Sequence, residues 1–306
     1  MYRYSDKCTI MICSCDAYED AWYPFFELFK KYWPDCPYRL ILNTESKAYN
    51  DPKLSVESFA FFKDRPVPYG ERMIRHLKEI HTPYTLVMMD DFFLRRPVDG
   101  EFLEKVMSYL DNDERAVVFS FQNVVDELNT HSQNYPGFDL RPLYGYYKFN
   151  FQAAIWKTEY LLGAWKPHES PWAWEGIGNY RSFDKKHDFY VLRHEESTPL
   201  FYGFDGIGHM GIYRGKWYTP DVVPLFEKHN LQIDLSKRGC IDHKIVPLQN
   251  EKQLSVNQRL RNEVEGLLSF GIALEIKNLL FRLKRKLAIS DAKGCANYIE
   301  YMRRKM

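Results

Sequence analysis

The sequence predicts an α/β protein: a mixed, mostly parallel sheet flanked by helices, with a helical extension at the C-terminal end. Three observations carry this expectation. Short apolar runs at Thr9–Cys13, Tyr38–Thr44 and Thr85–Met89 have the length and composition of strands buried on both faces. Helical periodicity fills the gaps between them, in Tyr23–Tyr32 and Gly70–Ile80, where Met73, Leu77 and Ile80 share one face. The resulting β-α-β alternation is the habit of a doubly wound sheet.

The remaining elements come in chain order. Trp33-Pro34 stops the first helix. Ser58–Phe62 reads as a third strand, Glu101–Leu110 as a helix and Ala116–Phe121 as another buried strand. Residues 126–148, rich in Asn, Gly, Pro and Tyr, read as a functional loop. Phe151–Trp156 is a short strand, and Thr158–Ala164 begins a helix for which Thr158 is the expected cap. Tyr190–Leu192 and Pro199–Tyr202 are late strands, and Gly203–Lys216, with five glycines, is loop-like. From about Leu254 the chain is helical again, so the expected division is a catalytic domain over 1–250 and an extension over 251–306.

Composition narrows the class. At 306 residues and 45% hydrophobic content, the chain can bury one large core or two ordinary ones. A formal net charge of +1 argues against a protein whose whole surface binds polyanions. Charge is unevenly placed: residues 251–306 hold 12 Lys and Arg against 6 Asp and Glu, and the first 250 hold 30 against 35. In the extension, Ile272, Ile276, Leu279, Leu283 and Leu287 form an apolar stripe beside Lys277, Arg282, Lys284, Arg285 and Lys286. Such a helix suits an anionic membrane interface, or docking on the catalytic domain or a partner with its basic face in water. Nucleic acid is an unlikely ligand, since these basic residues lack a base-stacking platform. The six cysteines show neither CxxC nor paired zinc spacing and read as buried reduced thiols. The start of the chain reads as no signal peptide, and no stretch reaches the roughly 18 apolar residues of a spanning helix. The expected location is the cytoplasm, with peripheral contact at the inner face of the membrane.

The chemistry centres on Asp90-Asp91, which end the apolar run Thr85–Met89. Open α/β sheets bind ligands in the crevice outside the carboxyl ends of their strands. Two adjacent carboxylates there repel, and their burial is costly unless a cation or donors satisfy them. Hard divalent ions that also touch substrate phosphates favour such sites. A solvated Asp pair in a turn is the plainer alternative.

With this strand order and carboxylate pair, the chain resembles nucleotide-sugar glycosyltransferases of the GT-A fold over roughly residues 8–245, and among them the bacterial transferases that build capsular and lipopolysaccharide chains. The resemblance implies transfer of a sugar from a nucleotide diphosphate donor, a UDP-sugar, to a saccharide or polyprenyl-linked acceptor with inversion. It implies Mn²⁺ or Mg²⁺ held by Asp91, with Asp90 on the ribose or a metal-bound water. Met89-Asp90-Asp91 departs from the spaced DxD form, because Phe92 occupies the next position. Ser14 and Asp16 would hold the nucleoside, with Tyr18 stacking, although Asp16 also suits a helix cap. Arg72 and Arg75 would approach the diphosphate, although Arg75 suits a solvated helix face at least as well.

In Glu169-Ser170-Pro171-Trp172-Ala173-Trp174-Glu175-Gly176, the resemblance makes Glu175 the base that deprotonates the acceptor hydroxyl, near a helix start. Trp172 and Trp174 would pack on sugar faces, with Glu169 as the substitute base. A plain helix-start carboxylate is the alternative for Glu175. His209 would complete the metal shell, and Lys216 or Arg214 would neutralise the leaving diphosphate; a lone His is as readily structural. Two other classes remain: a metal-dependent phosphoesterase or nucleotidyltransferase, since paired carboxylates serve phosphoryl chemistry equally, and a non-catalytic sugar-binding module of the same fold.

Overall fold

Alternation along the first strand, β1 (Cys8–Cys13), shows why its apolar run is unbroken. Ile10 and Ile12 enter one core layer, while Met11 and Cys13 enter another on the opposite face. The first layer is completed by α1 (Glu19–Tyr32), which buries Trp22, Phe25, Phe26 and Phe29. Its first turn carries Glu19 and Asp20 and its last carries Lys30 and Lys31, charges that complement the helix dipole. The second layer is built by α2 (Tyr69–Leu77) through Met73 and Leu77. The computed structural model describes residues 3–123, 129–145, 147–193, 198–200 and 210–243. The 251–306 extension and His209 lie outside the described residues.

The main sheet runs β3 (Val56–Phe59), β2 (Arg39–Asn43), β1, β4 (Tyr84–Met89), β8 (Ala154–Lys157), β5 (Ala116–Ser120), β9 (Asp188–Leu192), β7 (Phe138–Leu140) and β6 (Thr130–His131). β3, β2, β1 and β4 are mutually parallel, and β5 pairs parallel with β9. β8 is antiparallel to both β4 and β5, and so joins the two parallel groups. The mixed, mostly parallel α/β sheet read from the sequence is therefore the observed architecture. α3 (Gly100–Asn112) links β4 to β5, capped by the Asp99 carboxylate, which accepts from Phe102 N–H at 2.9 Å. A second sheet of three strands, β10 (Ile212–Tyr213), β11 (Lys216–Tyr218) and β12 (Cys240–Ile241), carries α6 (Thr219–Lys228) between β11 and β12. Arg214 and Gly215 close the β10–β11 hairpin with positive φ at both residues.

Several elements differ from their sequence reading. The 126–148 stretch holds the short strands β6 and β7 among its described residues, because Tyr135 and Phe138 drop into the core and carry the chain alongside β9. The third strand covers Val56–Phe59 and ends before Phe62, whose N–H turns to Glu45 O at 2.9 Å. Thr158 is no cap: its hydroxyl sits 2.9 Å from that of Thr85, and Lys157 occupies the position before α4 (Thr158–Ala164). Pro199 and Leu200 form a bend, with Pro199 O accepting from Asp99 N–H, and Tyr202 lies outside the described residues. Cys8 and Cys13 are buried as expected, whereas Cys240 is exposed.

The connection from α4 to α5 (Pro171–Glu175) presses on the start of α2. Gly70 N–H donates to Glu169 O at 2.8 Å, and a Cβ on Gly70 would stand 2.1 Å from Lys166 O. That obstacle is backbone and cannot rotate away. Gly70→Ala is expected to destabilise the fold by about 1–3 kcal/mol through overpacking, read as a lower urea midpoint with unchanged slope.

Candidate active site

Parallel pairing sets Cys13 of β1 beside Met89 of β4, so the next residues, Ser14 and Asp90, emerge side by side. Ser14 Oγ donates to Asp90 Oδ2 and accepts from Trp22 Nε1 at 2.6 Å. Asp90 is 1% exposed and Asp91 8%, both in the turn after β4. Burial, and next the charge of Asp91, push the Asp90 carboxyl well above the usual range. Burial likewise raises Asp91, opposed by its own backbone N–H and by the charge of Arg238. The peptide of Asp91 is also tied to the second sheet, since Gly211 N–H donates to Asp91 O at 2.6 Å. Asp91 Oδ1 is buried without a hydrogen-bond partner. The pair is therefore not a solvated turn.

That orphaned oxygen tests whether a metal fits. Among the described residues, no group of three or more His, Cys, Asp or Glu side chains is placed to hold an ion. Mg²⁺ and Mn²⁺ need no such cage, because carboxylate, phosphate and water oxygens suit them, and Mg²⁺ is held by one or two carboxylates with substrate phosphates. A buried carboxylate oxygen lacking a donor fits that mode.

Asp16 and Arg72 are placed near the end of β1 but turned to structural work. Asp16 accepts from Ser46 Oγ (2.5 Å) and from the N–H groups of Glu45, Ser46 and Lys47 at 3.1–3.2 Å. Burial alone would raise this carboxyl, but these donors hold it below the usual carboxylate value. It anchors the loop after β2, as an acceptor for that loop's backbone. Arg72, 1% exposed, bridges Glu45 Oε1 (2.7 Å) and Ser14 O (2.8 Å) and lies 4.6 Å over the Tyr69 ring. It buttresses the floor below the acidic pair. Arg75 is a half-exposed surface ion pair with Glu79.

The adjoining wall comes from α5. Ser170 caps it, accepting from Ala173 N–H at 3.1 Å, with Pro171 in its first turn. Glu175 is the last residue of this helix, not near its start, so a favourable dipole interaction is lost to it. Its Oε1 accepts from Phe151 N–H at 3.0 Å, and burial raises its carboxyl to about 7. Glu169 has a different fate: Arg181 grips both its oxygens at 2.7 and 2.8 Å, a neutralised buried pair ill suited to proton transfer. Trp174 is core, stacked 4.5 Å from Trp165, while Trp172 is 66% exposed and shares the helix face of Glu175.

Register brings this wall to the carboxyl end of β4. Antiparallel β8 sets Ala154 against Val87, so the residues preceding Ala154 and those after Met89 lie at the same edge of the sheet. Phe151, which holds Glu175, is among them. Lys216 opens β11 and is exposed, beside the Arg214-Gly215 turn. Arg238 was not legible as a site residue: it comes after α6, far along the chain, and only folding brings its charge within reach of Asp90 and Asp91.

No protein-family model matches this chain, and no curated protein matches its sequence. Among solved structures it is similar to S. aureus TarS 1-349 in complex with UDP, at 12% identity over 63% of this chain and 59% of that one, with a TM-score of 0.39. It is similar to the mannosyltransferase PcManGT from Pyrobaculum calidifontis in complex with GDP-Man and Mn²⁺, at 10% identity over 92% and 80%, TM-score 0.41. It is also similar to a cytidylyltransferase from Leptospira borgpetersenii, at 12% identity over 78% and 99%, TM-score 0.38. The chain spans about three fifths of the length of that TarS fragment. Functional assignment therefore rests on this chain's own side chains.

The raised Glu175 carboxyl has a thermodynamic signature. Its folded value of about 7 lies above the ordinary 4.5, so the neutral form is favoured in the fold. The stability it contributes is fully present below the ordinary value and is lost as pH rises through about 7. Glu175→Gln keeps an acceptor for Phe151 N–H and removes that loss. Its melting temperature should exceed that of the wild type at pH 8, with the gain disappearing at pH 4.

Proposed function

We propose that this chain is a nucleotide-sugar transferase that moves a sugar from a nucleotide diphosphate donor, a UDP-sugar, to an acceptor hydroxyl with inversion. The acceptor is a saccharide or polyprenyl-linked saccharide in surface polysaccharide synthesis, and the cofactor is Mn²⁺ or Mg²⁺. The observation that carries this reading is a division of labour at one sheet edge. A buried acidic pair with an orphaned oxygen stands at the end of β4, and a separate, unneutralised carboxyl near pH 7 stands on the adjoining wall.

Each residue then has a role. Asp91 binds the ion through its unpartnered oxygen, and Asp90, held by Ser14, fixes the turn that presents it. Ser14 acts through Asp90, and Arg72 acts through Ser14 and Glu45; both position rather than touch the donor. Asp16 sets the loop after β2 at the nucleoside end. A bound ion supplies Lewis-acid stabilisation of the departing diphosphate. Lys216, exposed at the hairpin, adds positive charge toward the same phosphates. Glu175 takes the proton from the acceptor hydroxyl, at its second oxygen, while Oε1 stays on Phe151 N–H. Trp172 offers an exposed ring to the acceptor sugar. His209 is proposed as a further ligand; it lies outside the described residues. The basic extension 251–306 is proposed to bring the chain to an anionic membrane surface where lipid-linked acceptors reside.

Two measurements test the core of this reading. Mn²⁺ should raise the affinity for UDP in the wild type, and Asp91→Asn should abolish that metal-dependent gain; an unchanged gain removes the metal assignment. Glu175→Gln should retain donor binding and lower transfer by about 10²–10⁴-fold; full activity removes the base. The released product separates the classes: nucleoside diphosphate marks glycosyl transfer, whereas pyrophosphate or a monophosphate marks the phosphoryl alternative.

A further inference from the structure

A guanidinium that the sequence did not single out, that of Arg238, lies over two rings, its central carbon 4.6 Å from the Tyr18 centroid and 5.4 Å from that of Trp217. One edge of its fork is filled: Nε donates to Asp20 Oδ2 at 2.8 Å, and Nη2 donates to Asp20 Oδ1 and to Ala17 O at 2.9 Å. The other edge is not. Nη1 has a single long contact, Gly215 O at 3.4 Å, although its side chain is only 9% exposed. A guanidinium held on one edge, with one Nη1 N–H unspent and the other in a long contact, is a prepared site for a planar or tetrahedral oxyanion.

Its surroundings say which oxyanion. Hydrogen bonds tie it to the same rim: Arg238 donates to Ala17 O, three residues past the Ser14 that holds Asp90, and it lies over Trp217, whose neighbour Tyr218 donates to Gly211 O while Gly211 N–H donates to Asp91 O. Burial would lower Arg238, but Asp20 first, then Tyr18 and Asp90, hold it above its ordinary value. Tyr18, under the guanidinium, has its hydroxyl raised by burial and then by Asp91 and Asp90. Arg238, Tyr18 and the acidic pair therefore share one neighbourhood. Arg238 cannot satisfy both carboxylates, since Asp20 already holds its fork. What completes the set is a group that bears negative charge toward Nη1 while tolerating the carboxylates through a cation. A metal-bound diphosphate has that chemistry.

We propose that Arg238 binds the donor's diphosphate directly, donating from Nη1 to a phosphate oxygen at the rim that carries the acidic pair. The inference rests on the transferase reading and deepens it. It also assigns to Arg238 the cationic contact that the sequence suggested for Arg72, which is committed to Glu45 and Ser14. Lys cannot replace it, because an ammonium has no separate edges with which to span Asp20 and a phosphate.

A plain strut is the rival role, since the Asp20 pair also ties the segment before β12 to the start of α1. The two roles separate in titrations of the 306-residue chain with UDP and with inorganic pyrophosphate, each with Mn²⁺, alongside thermal melts. Arg238→Gln should weaken both ligands by about 10–100-fold, the range of a hydrogen bond to a charged group. Arg238→Lys should recover only part of that loss. Asp20→Asn, which breaks the strut and spares Nη1, should bind both ligands within about threefold of the wild type. Should Arg238→Gln fail to fold, Arg238→Lys carries the comparison with Asp20→Asn. Equal losses in Asp20→Asn and the Arg238 variants would make the residue a strut and overturn the proposal. Unchanged affinity in folded Arg238 variants, or a loss confined to UDP with pyrophosphate unaffected, would do the same. Failure of the wild type to bind either ligand would remove the transferase reading itself, and this inference with it.

Discussion

The alignment of β1 with β4 is the constraint on which the rest depends. A parallel ladder that pairs Cys13 with Met89 leaves no freedom at the strand ends: a serine hydroxyl meets an aspartate, and a second aspartate is turned into the same low-dielectric rim. Such a rim is unfavourable for two anions unless something cationic visits it. The protein surrounds this cost with order. Trp22 braces Ser14, Arg72 braces the carbonyl of Ser14, and Gly211 braces the carbonyl of Asp91. Gly211 is there because Phe93 leaves room for nothing larger: a Cβ would meet that ring at 2.1 Å.

The adjoining wall shows how two acidic residues six positions apart acquire different chemistry. Both oxygens of Glu169 are engaged by Arg181, which leaves it no free edge for an acceptor. Glu175 receives one backbone N–H and no cation, so it resists ionisation until near pH 7. The difference lies in which way a five-residue helix points. Glu169 precedes its capped beginning, and its end delivers Glu175 to Phe151, at the edge where β8 begins.

Much of this was legible in the order of residues alone. Runs such as Thr9–Cys13 and Thr85–Met89 announce strands covered on both faces, because alternate residues serve two cores. Asp90-Asp91 stood out because charge at the end of such a run needs a reason. What stayed hidden was direction and distance. Nothing in Ala154–Lys157 says that it runs against its neighbours, since the same apolar residues suit either sense. Asp16 and Arg72 have the side chains of ligand contacts, yet backbone N–H groups and Glu45 claim them first, and those partners come from the loop after β2. Trp172 and Trp174 look alike in a string of letters, but a spacing of two residues, about half a helical turn, sends them to solvent and to core. Arg238 had no local signature at all, because its importance comes from a contact made across most of the chain.

The reversed strand β8 also has a bearing on how the chain is made. Synthesis delivers β1, β2, β3 and β4 in a contiguous stretch, but the partner that closes the exposed side of β4 is not complete until residue 157. Until it emerges from the ribosome, an apolar ladder edge stands open, with Leu86 and Val87 among its residues, a template for unwanted pairing between nascent chains. Docking β8 seals that edge and creates the landing for β5 in the same act. Completion of the sheet edge that carries the acidic pair and protection against aggregation thus coincide in one late event.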